Sequence, residues 1–208
     1  MKSIAIPMDT IVFPEFTGLR VYMKHAKAAV AHLLVEGAYS AIIQKMIKDA
    51  KVPDDQLVFV TIDEKDLKAG QTHRRGGAHV DGVYETAVEK LGLDWGAGGG
   101  GGWLNGVPGR ILSEEAQRRS YQNENGGMII VSNHAACQVW LGELDGVPGQ
   151  GGSCEHLRDQ FADLDTGVMD PNRVYKTNST CIHESLPVTE DVRRQLLRIT
   201  LSEQYQFH

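Results

Sequence analysis

Apolar positions along this chain recur with two different periods, and the change between them organises it. Between Val21 and Ala50, apolar residues at Ala26 to Ala31, Leu33, Leu34, Ile42, Ile43, Met46 and Ile47 return every three to four positions. That is the spacing of one helical face, and Gly37 interrupts it, so the pattern predicts two helices broken at Gly37. Farther on, residues 56–62, 128–132, 138–142 and 173–183 are short runs rich in strand-forming side chains. Residues 195–202 alternate, with Leu197, Ile199 and Leu201 on one face and Arg198 and Thr200 on the other. Residues 68–77 read as a loop, and residues 111–123, opened by Ser113, Glu114 and Glu115, as a short polar helix.

The segment between these two halves has an unusual composition. Five glycines, Gly98 to Gly102, stand between Trp95 and Trp103, which suits a lid or substrate-entrance loop, since glycine lets backbone approach a ligand closely. No Lys-Ser or Lys-Thr follows, which disfavours nucleotide binding through a phosphate loop.

With 208 residues, 41% hydrophobic and 23% charged, the chain can bury one substantial core. The expected organisation is a single domain, 1–208: a helical N-terminal support over 1–55, and a β core over 56–202 carrying an insertion at 94–127. No apolar run reaches membrane-spanning length and the start lacks a signal-peptide core, so a cytoplasmic protein is expected. Cys137, Cys154 and Cys181 form an odd set and read as free thiols. A net charge of −6 disfavours a nucleic-acid partner, whose phosphates call for a basic excess. The short basic clusters at His73 to Arg75, Arg118 and Arg119, and Arg193 and Arg194 read first as solvated charges. The earliest lies just before the candidate site and could meet an anionic group on a small substrate.

The candidate chemistry lies in His79-Val80-Asp81. In extended backbone, residues two apart share a face, so His79 and Asp81 can reach one metal while Val80 points away. His183 follows in a β-rich run, and Pro187 would end ladder pairing beyond it. Arg198, flanked by strand apolars and turned from them, needs an anionic partner if it is buried.

The order H-x-D, then His with a proline-containing turn, then R-x-T on a last strand resembles the Fe(II)/2-oxoglutarate-dependent dioxygenases. The resemblance implies an α+β, mainly β fold, a double-stranded β-helix (a jelly-roll or cupin-like barrel) with the N-terminal helices packed on one sheet. It implies that His79, Asp81 and His183 ligate Fe(II), that Arg198 grips the far carboxylate of 2-oxoglutarate, and that Thr200 assists it. The implied reaction converts 2-oxoglutarate and O2 to succinate and carbon dioxide while hydroxylating an unactivated C–H bond of a small molecule, an amino acid or natural-product intermediate. Because Asp81 is a carboxylate, the pattern is similar to that of hydroxylases and not of halogenases. Arg75, Trp103, Asn133 and Trp140 are candidate substrate contacts, and Arg194 rivals Arg198 as the cation. Two other readings stand beside this one. A nucleobase or nucleic-acid hydroxylase would stack bases on Trp95, Trp103 and Tyr121. A non-catalytic, cupin-like or zinc-stabilised binding module would use His134, Cys137, Cys154 and His156 as ligands.

Overall fold

The fifteen residues of the last strand, Val192–Gln206, are almost all buried up to Ser202, because neighbouring strands flank them and both faces are covered. The computed structural model describes residues 1–81, 121–122 and 125–207. In chain order these form β1 (Lys2–Ser3), β2 (Ala5–Thr10), β3 (Arg20–Lys27), a 3₁₀ helix (Ala28–Leu34), α1 (Ala38–Asp49) and β4 (Leu57–Leu67). Then come β5 (Asn125–Ser132), β6 (Cys137–Glu143), 3₁₀ segments at Gln150–Gly152 and Glu155–Asp163, β7 (Asp165–Val168), β8 (Arg173–Asn178), β9 (Ile182–Ser185) and β10 (Val192–Gln206). The glycine run Gly98 to Gly102, Trp95, Trp103, Arg118 and Arg119 lie outside the described residues, as does most of the helix expected at 111–123. Among the described residues no helix is long and apolar enough to cross a membrane.

The protein is mainly β, built on two antiparallel sheets, neither closed on itself. The larger has the order β2-β8-β5-β10-β4-β3, with β10 at its centre. In the smaller, β6 pairs with β7 on one side and with β9 and β1 on the other. Three apolar layers follow from strand alternation. Val58, Val60, Ile62, Ile129, Val131, Leu197, Ile199 and Leu201 meet α1 on the outer face of the large sheet. Met128, Ile130, Val139, Met169, Cys181 and Leu196 come from both sheets and form the layer between them. Val80, Cys154, Leu157, Phe161, Leu164 and Ile182 cover the outer face of the small sheet.

The N-terminal region departs from the expected pair of helices. Only the second exists as an α-helix, α1, whose Tyr39, Ile43, Met46 and Ile47 are buried against the large sheet at about 1.5–3 kcal/mol for each fully buried aliphatic chain. Residues 20–27 are instead an edge strand, and 28–34 a 3₁₀ helix. β3 pairs with β4 from Arg20↔Asp63 to Lys27↔Leu57, which buries Val21 in the α1 layer and Met23 against Leu57 and Phe59. Pairing with a strand thirty or more residues away outweighs the local periodicity. A bulge between Val21 and Lys24, with Met23 at φ 49°, re-aims the strand toward the inter-sheet space.

Candidate metal centre and its cavity

Residues 78–80 lie in a narrow gap of the small sheet. The His79 and His183 backbones exchange both hydrogen bonds, His79 N–H to His183 O at 3.0 Å and His183 N–H to His79 O at 2.9 Å. On the other side, Val80 N–H donates to Gly152 O at 2.9 Å and Cys154 N–H to Ala78 O at 2.8 Å. His79 therefore makes an isolated bridge to both Ser153 and His183, and the H-x-D segment is extended backbone without belonging to a long strand. A directly opposed pair projects both side chains to one face, so the two imidazoles stand side by side with ring centroids 4.5 Å apart. Val80 turns to the opposite side and is fully buried in the outer apolar layer.

Asp81 then returns to the imidazole side. The ligating atoms of His79, Asp81 and His183 all lie within 4.8 Å of one another, in a group that could hold a metal ion. Both rings are oriented from behind. The Nδ1–H of His79 donates to Gly77 O at 2.6 Å and that of His183 to Cys181 O at 3.0 Å. A carbonyl can only accept, so each proton sits on Nδ1 and each Nε2 keeps its lone pair for a metal. Burial and the neighbouring His183 push the His79 imidazole down to about 4, which keeps it neutral. For Asp81, burial raises the carboxyl, but neighbouring positive charge, that of Arg198 foremost, outweighs it and holds it far below the usual range. The loop before the triad is anchored by carboxylates: Gly77 N–H donates to Glu184 Oε1 at 2.8 Å and Ala78 N–H to Glu155 Oε1 at 2.5 Å, and Arg158 clamps both acids.

The triad opens on a cavity of about 620 Å³ between the sheets, within the size range of small-molecule sites. Register explains its floor. Leu196 pairs with Asp63 on β4 and Ser132 on β5, and Arg198 with Ile130, so Arg194, Leu196, Arg198, Asp63, Ile130 and Ser132 share the inward face. Arg198, as expected, faces inward away from Leu197, Ile199 and Leu201, and its anionic partner is Asp81, Nη1 to Oδ2 at 2.8 Å. Arg198 also reaches Met23 Sδ through Nη2 at 3.8 Å. Thr200 lies on the same strand face between Phe59 and Met128, buried and outside the cavity lining.

The remaining expectations divide. Arg75 lines the cavity and donates to Gly151 O at 2.7 Å. Asn133 is taken up by the backbone: it accepts from Gln195 N–H at 2.8 Å and donates to Arg193 O at 3.0 Å, outside the cavity lining. Trp140 faces the other side of β6, where it packs on Phe161 at 5.0 Å and under Arg158 at 5.4 Å, because a one-residue offset along a strand reverses the face. Trp103 lies outside the described residues. The basic clusters are not uniformly solvated. Arg193 is exposed, but His73 and Arg194 are buried and Arg74 is half-buried, all three lining the cavity. No alternation around residues 73–75 could have revealed this, since the loop is placed by contacts with β4 and β9.

The four candidate zinc ligands are not brought together. Cys137 packs in the inter-sheet layer, Cys154 in the outer layer beyond the small sheet, and His156 is exposed with Nε2 3.2 Å from Val147 O. All three cysteines are free thiols. Among the described residues the metal-ligating group is the His79, Asp81 and His183 triad. Comparison with protein-family models, with curated proteins and with solved structures gives no match for this chain.

Proposed function

We propose that this chain is an Fe(II)- and 2-oxoglutarate-dependent dioxygenase that hydroxylates an unactivated C–H bond of a small molecule. The observation carrying this reading is the convergence of two Nε2 atoms and one carboxylate on the cavity side, both imidazoles tied back through Nδ1 and Arg198 alongside. Two imidazoles and one carboxylate on one face suit non-haem Fe(II) and leave positions for co-substrate and oxygen. The two facing sheets are read as the walls of a double-stranded β-helix, with α1 and the 3₁₀ helix as the support on the outer face.

Bound iron supplies oxygen activation coupled to decarboxylation of 2-oxoglutarate to succinate. The chain orients and shelters that chemistry. Gly77 O and Cys181 O fix the ring tautomers and hence the direction of both Nε2 lone pairs. Arg198 would hold the far carboxylate of 2-oxoglutarate, which a planar guanidinium can grip through two parallel hydrogen bonds, and Asp81 would be its partner when no co-substrate is bound. Thr200, two residues on along the same strand face, is the hydroxyl that would assist Arg198. Ile130 and Leu196 provide the apolar floor that limits water around the reacting centre.

The test is succinate formation by protein loaded anaerobically with Fe(II) and then given 2-oxoglutarate and O2. Succinate should appear, require iron, disappear in His79→Ala and persist in Cys154→Ala. Stoichiometric metal binding without any succinate would overturn the reading, as would zinc binding that needs both Cys137 and Cys154. Mass spectrometry of metabolite mixtures for gain of one oxygen would then identify the substrate.

A further inference from the structure

The cavity carries more positive charge than a dianionic co-substrate and Asp81 can absorb. Six arginines and a lysine line it against three aspartates, although the whole chain is acidic at −6. Most of these cations have partners. Arg75 bonds Gly151 O, Arg173 pairs with Asp170 at 3.3 Å, and Arg198 holds Asp81.

Arg194 and Arg74 are different. Arg194 is 2% exposed and pinned by its Nε to Ser132 Oγ at 3.1 Å, while its buried Nη1 has no hydrogen-bond partner among the described residues. The buried Nη2 of Arg74 has none either. Of the two carboxylates that act on them, Asp81 is held by Arg198, and Asp63 is already divided among Arg20 Nε at 3.1 Å, His73 Nε2 at 3.1 Å, the Tyr22 hydroxyl at 3.3 Å and Arg74 Nη1 at 3.6 Å. Burial depresses both guanidinium groups, and so does a neighbouring cation, Arg198 for Arg74 and Arg74 for Arg194. Buried donors on like charges are costly unless an anion arrives to accept from them.

We infer that Arg194 and Arg74 form an oxyanion subsite, separate from Arg198, for a carboxylate- or phosphate-type group on the primary substrate. Two forks on one cavity wall suit such a planar or tetrahedral oxyanion. Arg194 lies four residues before Arg198 on the same face of β10, about 13 Å along an extended strand. An anion held there would leave the rest of a small substrate to extend toward the triad. Placing the reactive end at the triad rests on the dioxygenase reading; the subsite itself does not.

Inorganic phosphate is the probe, titrated into metal-free protein in chloride buffer and followed by thermal shift and calorimetry. Wild type should bind it saturably. Arg194→Gln and Arg74→Gln should each weaken that binding by on the order of tenfold or more, and Arg173→Gln, which removes a cavity cation already paired with Asp170, should change it little. Because each removes a buried cation that shares its carboxylate with other cations and leaves a guanidinium nitrogen unbonded, Arg194→Gln and Arg74→Gln should leave the anion-free melting temperature unchanged or raised. The inference is overturned if phosphate does not bind saturably, if both variants retain it, or if both melt lower without anion, which would mean structural partners. It also fails if Arg194→Gln raises the KM for 2-oxoglutarate in succinate formation, which would assign that residue to the co-substrate. Saturable phosphate binding without any succinate would sink only the dioxygenase reading, and succinate without phosphate binding only the subsite.

Discussion

Arg198 Nη1 donates to Asp81 Oδ2 over 2.8 Å, tying the central strand of the large sheet to a carboxylate 117 residues earlier that sits against the small one. The pair is nearly dry, with side chains 5% and 13% exposed. It spans the two sheets at the point where a metal would bind, so the charge that keeps Asp81 ionised also positions it.

Removing one member of such a pair strands the other. Asp81→Ala should destabilise the metal-free protein by about 3–5 kcal/mol and abolish divalent-metal binding. Adding Arg198→Met should restore a large part of the stability and none of the metal binding. Urea denaturation of the four-member cycle measures this; additive effects of the two substitutions would show that the pair contributes nothing to folding.

Gly152 bears on the site through its lack of a side chain. It adopts φ +77°, and a Cβ there would lie 2.3 Å from Val80 O, between the two ligands of the H-x-D segment. Gly152→Ala should cost roughly 1–3 kcal/mol and displace that carbonyl, weakening metal affinity by on the order of tenfold or more. Gly167→Ala, with open space around its added methyl, is the control. Equal metal affinity in both variants would rule out this coupling.

Acid should act on the fold through Glu64, which is 2% exposed. Burial pushes its carboxyl up, but hydrogen bonds from the Tyr39 hydroxyl, the Gln195 amide and the Thr17 and Leu19 backbone outweigh this and hold it at about 2. A depressed carboxyl stabilises fully above its unfolded value of about 4.3, and the contribution is lost as pH falls toward about 2. Glu64→Gln should cost about 1–3 kcal/mol near neutrality and flatten the loss of stability between about pH 5 and about pH 3. Parallel slopes for the two proteins in urea midpoints would contradict this account.

The cysteines should be spectators of metal binding. Burial pushes the Cys154 thiol up to about 12, and Cys137 and Cys154 lie in different apolar layers. The double variant Cys137→Ser and Cys154→Ser should therefore keep one divalent metal per chain, measured by elemental analysis after gel filtration. Cys154 in the native protein should react with an alkylating reagent far more slowly than after unfolding. Metal lost from the double variant alone would revive a zinc site.

By itself the sequence determined the local elements whose period matches their final environment. The alternation of Leu197, Ile199 and Leu201 against Arg198 survives unchanged, because β10 has one face on α1 and the other on the cavity. The helix after Gly37 and the strands at β4, β5 and β6 were equally legible from apolar spacing. Tertiary structure decided the rest. β3 exists because β4 offers it a ladder, which no pattern within residues 20–27 encodes. His79 meets His183 through a reciprocal backbone bridge across a sequence separation of 104, and spacing alone cannot distinguish such a pair from two unrelated histidines. Trp140 and Arg194 exchanged their expected surroundings for the same reason: facing is set by strand register and burial by what packs opposite, both long-range properties.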